Sequence, residues 1–251
     1  MSFSKQLSRY PALKAYVESL CPIPAGTFQM GCESGYIIEK PVHSVTLSAF
    51  QMGATPVTVA VWKEFCGATK TPLPDAPSWG LLDDHPIVNV SWNDIMGIDG
   101  KGGFCAWASE LAGFKLMLPT EAQFEYAARG GQSWLEYPWG NGFDDSKLWC
   151  SKPTDRKSTA PVIRPSNIFR NGYGLTDMVG NVWQWCADYY NDDYRPAGKD
   201  PVDTQESDSR CVRGGSWGSY DPVFFRCADR GRIIPDFGSS YGGFRLSAGL
   251  G

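Results

Sequence analysis

The sequence predicts a mixed α+β fold with a small antiparallel sheet, two or three helices and long ordered loops. Three observations support this prediction. Helical spacing and capping residues mark only a few short helices, and alternating apolar and polar residues mark short strands. The second half of the chain is rich in Gly, Pro, Asn, Asp and Trp, which is typical of loops. At 251 residues the chain is long enough to bury a core, so we expect residues 1–251 to form a single domain.

The first element is predicted to be a short amphipathic helix within an N-terminal helical extension, residues 1–21. Leu13, Tyr16, Val17 and Leu20 lie at the spacing of one helix face. We expect this helix to be a cap or a surface for a partner.

Two strands are predicted next. The stretches PIPAGTFQMG and HSVTLSAFQMG alternate apolar and polar residues, and each ends in glycine. The loop around CESGYIIEKP would connect them.

Helix starts follow at two capping residues. Thr58 precedes VAVWKEFC and Ser91 precedes WNDIM, and both residue types favour the N-cap position. The glycine-rich stretch GIDGKGG cannot continue a helix at low cost, so we expect a loop there before the helical pattern resumes.

The best-defined helix begins after Thr120, because Gln123 completes a capping box with it and a Gly-Gly pair ends the run. From Trp134 onward only short alternating runs remain, such as VWQWCADYY and RCVRGGSW. The ten Trp and eleven Tyr residues are expected to anchor the long loops to the core.

Charge and hydropathy exclude several classes of partner. The net charge is -4, and no stripe of Lys and Arg is present that would bind a phosphate backbone, so we expect no nucleic acid partner. No apolar run is long enough to span a membrane. The first 20 residues lack the apolar core and cleavage site of a secretory signal, which predicts a cytoplasmic protein, with display on a cell surface or virion by another route left open.

The cysteines and histidines do not form a recognisable metal or catalytic motif. The eight cysteines occur one at a time without a C-x-x-C pair, and we expect them to be buried small apolar residues. His43 and His85 lie in separate loops, and we expect each to be a structural hydrogen-bonding residue.

Eight motifs occur in an order that resembles the formylglycine-generating enzyme (sulfatase-modifying factor) family, from about residue 22 to residue 247. They are IPAGTFQMG, PVHSVTL, VNVSW, LPTEAQFEYAARGG, YPWGN, NGYGLTDMVGNVWQWCADYY, VRGGSW and GGFRL. The resemblance implies a C-type-lectin-like fold, which agrees with the α+β pattern read from the residues. Fold alone does not decide function on this scaffold.

The resemblance also implies where a catalytic thiol pair would stand. Enzymes of this family carry two cysteines shortly after the Gly-Gly-Ser-aromatic motif, where the thiolates bind copper. Ser219 and either Val223 or Phe224 occupy those positions here, whereas Cys211 and Cys227 lie outside the spacing. We therefore expect no copper-dependent oxidase and no required cofactor.

A structural calcium ion is a further implication of the resemblance. The family binds calcium near its Gly-Asn-x-Trp motif, and Asp177, Gly180, Asn181 and Val182 match those positions. The alternative is that Asp177 and Asn181 satisfy backbone groups of a loop.

The composition of the C-terminal segment is unusual. Lys, Glu, Gln, Met and Trp occur throughout the chain up to Trp217 and are absent from the 34 residues that follow. These five are the amino acids that no codon ending in C can encode, which is the result expected when the adenines of AAC codons are randomised. The segment thus resembles that of the C-type-lectin-fold variable proteins of diversity-generating retroelements, which implies a prokaryotic or phage origin.

In such proteins constant frame residues pack while substituted side chains face outward. The frame predicted from this resemblance consists of Arg213, Gly214, Gly215, Ser216, Trp217, Arg226, Ala228, Arg230, Pro235, Gly243, Phe244 and Arg245. The displayed, ligand-binding set consists of Gly218, Ser219, Tyr220, Asp221, Val223, Phe224, Phe225, Asp229, Gly231, Arg232, Ile233, Ile234, Asp236, Phe237, Ser239, Ser240 and Tyr241.

The resulting hypothesis is a non-enzymatic, receptor-type protein that binds a protein or another macromolecule through residues 211–247. Aromatic side chains rimmed by charges, with Ser and Gly between them, are typical of recognition surfaces. Three alternatives remain. The chain could be a relative of the enzymes that acts on or binds a small substrate, it could be a structural or regulatory partner domain, or Phe224 or Phe225 could belong to the core.

Overall fold

The computed structural model describes residues 6–98, 102–132, 134–152, 156–164, 169–193 and 197–249. Residues 1–5 of the predicted extension and 99–101 of the glycine-rich loop lie outside this part. The α-helices in the described ranges are α1 (Pro11–Glu18), α2 (Val59–Thr69), α3 (Trp92–Met96), α4 (Phe104–Ala112) and α5 (Glu121–Ala128). The strands are β1 (Leu20–Ile23), β2 (Gly26–Met30), β3 (His43–Leu47), β4 (Phe50–Gly53), β5 (Trp183–Tyr189), β6 (Gly198–Lys199), β7 (Arg210–Arg213), β8 (Arg230–Ile233), β9 (Gly242–Gly243) and β10 (Ser247–Gly249).

Each of the two strands predicted near the N-terminus is divided into two by a turn. PIPAGTFQMG supplies the last two residues of β1 and all of β2, while HSVTLSAFQMG supplies β3 and β4. The division occurs because the chain changes sheets: β2 pairs with β3, and β1 pairs with β4, both antiparallel. The alternating pattern therefore predicted strands at the right positions, but it did not indicate that the chain passes from one sheet to another.

The strands form three small sheets with the orders β1-β4-β10, β2-β3-β6 and β8-β7-β5-β9. Most pairs are antiparallel, as expected, and the pairs β3–β6 and β5–β9 are parallel. The third sheet carries the C-terminal segment, because β7 leads into that segment, β8 lies within it and β9 ends it. Where the sequence favours two or three helices, the described ranges contain five, and α3 is only five residues long.

The predicted helix starts are confirmed by their caps. The hydroxyl of Thr58 accepts a hydrogen bond from the amide of Val61. Ser91 caps α3 in a reciprocal pair of hydrogen bonds with Asp94. Thr120 caps α5 together with Gln123 in the same reciprocal way, as the capping box requires.

The apolar face of helix α1 is part of the core, as expected of a cap. Leu13, Tyr16 and Val17 are buried against α2 and α4. The carboxylate of Glu64 on α2 accepts the backbone amide of Leu13 at 2.9 Å, which satisfies a donor at the start of α1. Leu20, the fourth residue of the predicted helix face, begins β1.

The end of the chain is anchored in the same core. The rings of Trp62 on α2 and Phe104 on α4 stack with centroids 5.2 Å apart, and Phe244 packs edge-on against Phe104 at 5.2 Å. Phe244 follows β9, so the exit of the C-terminal segment is fixed by two helices.

Six of the eight cysteines are buried, as the sequence predicts, and both histidines form hydrogen bonds, although His43 is the first residue of β3 and does not lie in a loop. All eight thiols are free, and only Cys21 and Cys32 are partly exposed. The His85 ring is buried with Nδ1 2.8 Å from the hydroxyl of Thr159, and His43 Nδ1 lies 2.9 Å from the carbonyl of Pro41. Among the described residues no helix is long and apolar enough to cross a membrane.

Candidate ligand-binding surface

The C-terminal segment leaves β7 through two glycines that no other residue could replace without strain. Gly214 and Gly215 have φ angles of 95° and 70°, in the left-handed region. A Cβ at position 214 would lie 2.6 Å from the carbonyl oxygen of Met178, and one at position 215 would lie 2.8 Å from the carbonyl oxygen of Phe224. The Gly-Gly pair is therefore required for the close approach of the chain to itself at this entry.

Arg213, which precedes the glycines, holds the segment from beneath. Its fully buried guanidinium donates to the carboxylate of Glu125 and to the backbone carbonyls of Cys227, Ala228 and Asp229. Burial alone would raise the pKa of Glu125, but the guanidinium groups of Arg129 and Arg213 outweigh it and lower the pKa to about 2. The pair is thus charged, and it connects α5 to the middle of the segment.

Arg245 fixes the other end. Its buried side chain donates to Gln184 Oε1 at 2.6 Å and to the carbonyl oxygens of Gly53, Thr176 and Asp177. All of the predicted frame residues are buried except Trp217 and Pro235, which are partly exposed.

The predicted displayed set separates into three groups by exposure. Exposed side chains belong to Tyr220, Asp221, Arg232, Ile234, Asp236, Phe237 and Tyr241. Partly exposed residues are Gly218, Ser219, Val223, Phe224, Gly231, Ile233, Ser239 and Ser240. Phe225 and Asp229 are buried.

The prediction that Phe225 is displayed is wrong. Its ring is fully buried in a cluster with Tyr137 and Val179 and stacks on Phe143 with centroids 5.9 Å apart. Phe225 is the last residue of the 3₁₀ helix Pro222–Phe225, which turns this ring inward and leaves Phe224 partly exposed. The alternative that one of the two phenylalanines belongs to the core is therefore correct for Phe225.

Asp229 is likewise not displayed. It is buried beneath the segment, and its Oδ2 atom has no hydrogen-bond partner among the described residues. Burial raises the pKa of its carboxyl group to about 7, with Arg213 opposing and Glu39 reinforcing the shift. Asp229 thus lies with Arg213 and Glu39 in a buried group of charged side chains below the surface.

One of the exposed apolar side chains, Tyr241, belongs to an aromatic cluster. The rings of Trp217 and Tyr241 stack with centroids 4.8 Å apart, and Trp79 packs edge-on against Trp217 at 5.1 Å. The indole N–H of Trp217 donates to the carbonyl of Ser240. Tyr220, Ile234, Phe237 and Tyr241 are 63%, 49%, 52% and 45% exposed. We call these four side chains, together with Asp221, Arg232 and Asp236, the C-terminal patch.

The positions that would carry a catalytic thiol pair hold none. The hydroxyl of Ser219 lies 3.2 Å from the amide of Ser216, which donates to it. Burial raises the pKa of the Cys227 thiol to about 12 and that of Cys211 well above its usual value, so neither thiol is ionised near neutral pH.

The four positions proposed for calcium contain oxygen atoms that are already engaged. Arg164 donates to both carboxylate oxygens of Asp177, at 2.6 and 3.3 Å. The side-chain oxygen of Asn181 accepts the amide of Ala160, and the carbonyl of Gly180 accepts the amide of Val182. This donor set does not fit a calcium ion, because a guanidinium already neutralises its one carboxylate. The contacts favour the alternative, in which Asp177 and Asn181 satisfy groups of their own loop.

Two features of the site were missed at the level of sequence. Trp79 lies in a loop of Pro and Asp residues, and its contact with Trp217 connects it to the surface. The second is a cavity of about 420 Å³ that includes Arg226 and Ala228 among its lining residues. Its other walls come from two segments distant in the chain, so no local pattern could indicate it.

Comparison with known proteins supplies the wider context. A family model described as the sulfatase-modifying factor enzyme 1-like domain matches residues 9–249. The chain is 30% identical to the formylglycine-generating enzyme of Thermomonospora curvata, over 92% of this chain and 93% of that protein. It is also 30% identical to the inactive C-alpha-formylglycine-generating enzyme 2 of Bos taurus, over 93% of this chain and 89% of that protein.

Solved structures agree with the fold. PvdO from Pseudomonas aeruginosa superposes with a TM-score of 0.80 at 26% identity, over 92% of this chain and 94% of that one. Treponema denticola variable protein 1 superposes with a TM-score of 0.70 at 23% identity, over 91% and 94%, a likeness that concerns the fold alone. The predicted C-type-lectin-like α+β fold is confirmed.

Proposed function

Because the chain belongs to the family of sulfatase-modifying factor enzyme 1-like domains, in which active enzymes and an inactive relative both occur, we propose that it uses this scaffold to bind a ligand without catalysis. The ligand is a protein or another macromolecule, and it contacts the C-terminal patch. The patch is diversified by a retroelement.

The observation that carries this proposal is the separation of frame from display. The residues expected to be constant are buried or partly buried, and they bind the backbone from beneath through Arg213 and Arg245. The predicted displayed positions are exposed or partly exposed, apart from Phe225 and Asp229. This is the pattern of exposure that a varied surface on a constant frame requires.

The chemistry of the patch fits macromolecular recognition. Tyr220, Ile234, Phe237 and Tyr241 are large apolar side chains that are half exposed, and they offer apolar area that costs free energy to leave in water. Tyrosine and phenylalanine lose little conformational entropy when they bind, and the surrounding charges form the polar rim typical of interfaces.

The absence of a thiol pair supports the non-catalytic part of the proposal. Ser219 and the Val223–Phe224 pair replace the cysteines that copper chemistry would need, and the nearby thiols are buried. A relative described as inactive is as similar to this chain as a formylglycine-generating enzyme is.

Sequencing of the gene tests the proposal directly. We expect a near-repeat of its 3′ end, differing only at adenines, beside a reverse transcriptase gene. Among cells of one population, substitutions should be confined to the codons of the displayed set and absent from codons such as those for Gly214, Gly215 and Arg245. Substitutions spread evenly over residues 211–247, or no such repeat, would refute diversification.

Binding is tested with a library in which the seven exposed patch positions are randomised and selected against hen egg-white lysozyme. A matched library randomises seven exposed helix positions, which are Ala15, Glu18, Lys63, Ala68, Thr69, Ala106 and Glu110. We expect binders that melt near the parent temperature only from the patch library. Equal recovery from both libraries would show that the patch is not a preferred binding surface.

A further inference from the structure

We propose that the cavity beside Arg226 binds a zwitterionic small molecule of the amino-acid or dipeptide type. The cavity lies between the turn that follows β2, the loop 134–141 and residues 226–228. Its volume of about 420 Å³ lies within the range typical of small-molecule sites. None of the seven residues of the C-terminal patch lines it, so this inference is independent of the proposed macromolecular ligand.

Arg226 supplies the site for a carboxylate. Its side chain is 8% exposed, its Nη2 atom pairs with Glu39, and its Nε atom donates to the carbonyl of Val223. Its Nη1 atom has no hydrogen-bond partner among the described residues. Arg129 also lines the cavity, but all of its nitrogen atoms donate to groups of the protein. Arg226 therefore has a donor left for a ligand, and guanidinium groups bind carboxylates well.

Asn141 adds a neutral donor to the lining of the cavity. Its side-chain oxygen accepts the amide of Glu136 at 2.9 Å, which orients the side chain and leaves the amide nitrogen to point away from this contact. A carboxylate held by Arg226 could accept a second hydrogen bond from Asn141.

Two carboxylates at the rim are suited to an ammonium group. Glu33 and Glu136 both line the cavity and are exposed. One oxygen of Glu33 accepts the amide of Val42 at 2.7 Å, which fixes the side chain and leaves its other oxygen without a partner among the described residues. The carboxylate of Glu136 has no partner in the described part of the chain. A ligand with only a negative charge would be repelled by these groups, whereas a zwitterion satisfies both ends.

The remaining wall of the cavity favours a ligand with an apolar side chain. Val42, Leu135 and Ala228 contribute aliphatic surface, and the indole of Trp134 is 59% exposed at the opening. An exposed indole can cover an apolar side chain and can attract an ammonium group to its face. We therefore expect aromatic and branched amino acids to bind better than small polar ones.

Calorimetric titration with four probes tests the ligand class. We expect L-phenylalanine and L-alanyl-L-phenylalanine to bind, and N-acetyl-L-phenylalanine and L-phenylalanine amide to bind at least about tenfold more weakly, since each lacks one of the two charges. Equal binding of the blocked probes, or no binding of any probe in the millimolar range, overturns the proposal.

Variants assign the two ends of the ligand. Glu33→Gln combined with Glu136→Gln should weaken L-phenylalanine about tenfold and leave N-acetyl-L-phenylalanine unchanged or tighter. Arg226→Gln alone would leave Glu39 buried without its partner, so it is combined with Glu39→Gln, and the pair should weaken every probe that has a carboxylate. Glu110→Gln on α4 is the matched surface control. Unchanged L-phenylalanine binding in both double variants overturns the assignment.

Cys32 provides a readout that does not depend on a substitution. Its thiol lies on the cavity wall and is partly exposed, while Cys21 is the other partly exposed thiol and does not line the cavity. We expect saturating L-phenylalanine to slow alkylation of Cys32 by iodoacetamide several-fold without changing the rate at Cys21, as measured by mass spectrometry. Equal rates at Cys32 with and without the amino acid, or equal protection of both thiols, overturns the location.

Discussion

Two phenylalanines in the same segment offer a matched test of the separation between frame and display. Phe225 is fully buried, whereas Phe237 is 52% exposed. Replacing Phe225 with Ala leaves a cavity among Tyr137, Phe143 and Val179, and the usual cost of such a change is about 3–5 kcal/mol. Replacing Phe237 with Ala removes a side chain that is already half in water, and we expect a cost of about 1 kcal/mol or less.

The assay is thermal unfolding of both variants beside the parent. One kcal/mol corresponds to about 2–4 °C for a protein of this size, so Phe225→Ala should lower the melting temperature by about 6–20 °C and Phe237→Ala by about 4 °C at most. Equal losses would show that Phe237 is as buried as Phe225, which would refute its display. A Phe225→Ala variant as stable as the parent would refute the burial of its ring.

Four further outcomes are expected. Gly215→Ala should destabilise the protein by more than about 1 kcal/mol, because a Cβ at φ 70° meets the carbonyl of Phe224, and a chemical denaturation midpoint equal to that of the parent would contradict this. Burial raises the pKa of Asp229 to about 7, while an unfolded Asp titrates near about 3.9, so its contribution to stability is complete below about pH 4 and is lost as the pH rises to about 7. The melting temperature of Asp229→Asn should therefore rise relative to that of the parent as the pH increases from 5 to 8. A difference between the two melting temperatures that is the same at every pH would exclude this titration. Cu(I) should not support oxidation of a cysteine in a sulfatase-type peptide, and robust turnover would show that Ser219 replaces no essential thiol. Calcium should leave the melting temperature unchanged, because Arg164 already neutralises Asp177, and a calcium-dependent rise that EDTA reverses would restore the metal site.

The sequence predicted those features that depend on a few adjacent residues. Thr58, Ser91 and Thr120 cap their helices because the hydroxyl of each residue reaches an amide three positions later. The Gly214-Gly215 pair marked the entry of the segment for an equally local reason, namely the left-handed backbone at both positions.

Features that arise from packing between distant segments were not predictable in the same way. Phe225 is buried by the loop around Phe143, and nothing near Phe225 in the chain distinguishes it from Phe224. Helix α1 has the spacing of an amphipathic surface helix, yet its apolar face completes the core of α2 and α4. The cavity at Arg226 required three segments to meet, so its existence could come only from the structure.

The backbone contacts of the C-terminal segment explain how a surface can vary in chemistry while it keeps its shape. The carbonyl of Ser239 accepts the amide of Asn89, and the carbonyl of Tyr241 accepts the amide of Trp183. Both contacts use the main chain of displayed positions, so they persist when the side chains change. Gly218 is different, because a Cβ there would lie 2.4 Å from the ring of Tyr241. Any larger residue at position 218 must displace that ring, so the residues at 218 and 241 cannot vary independently, and variants with a side chain at 218 should carry a smaller residue at 241.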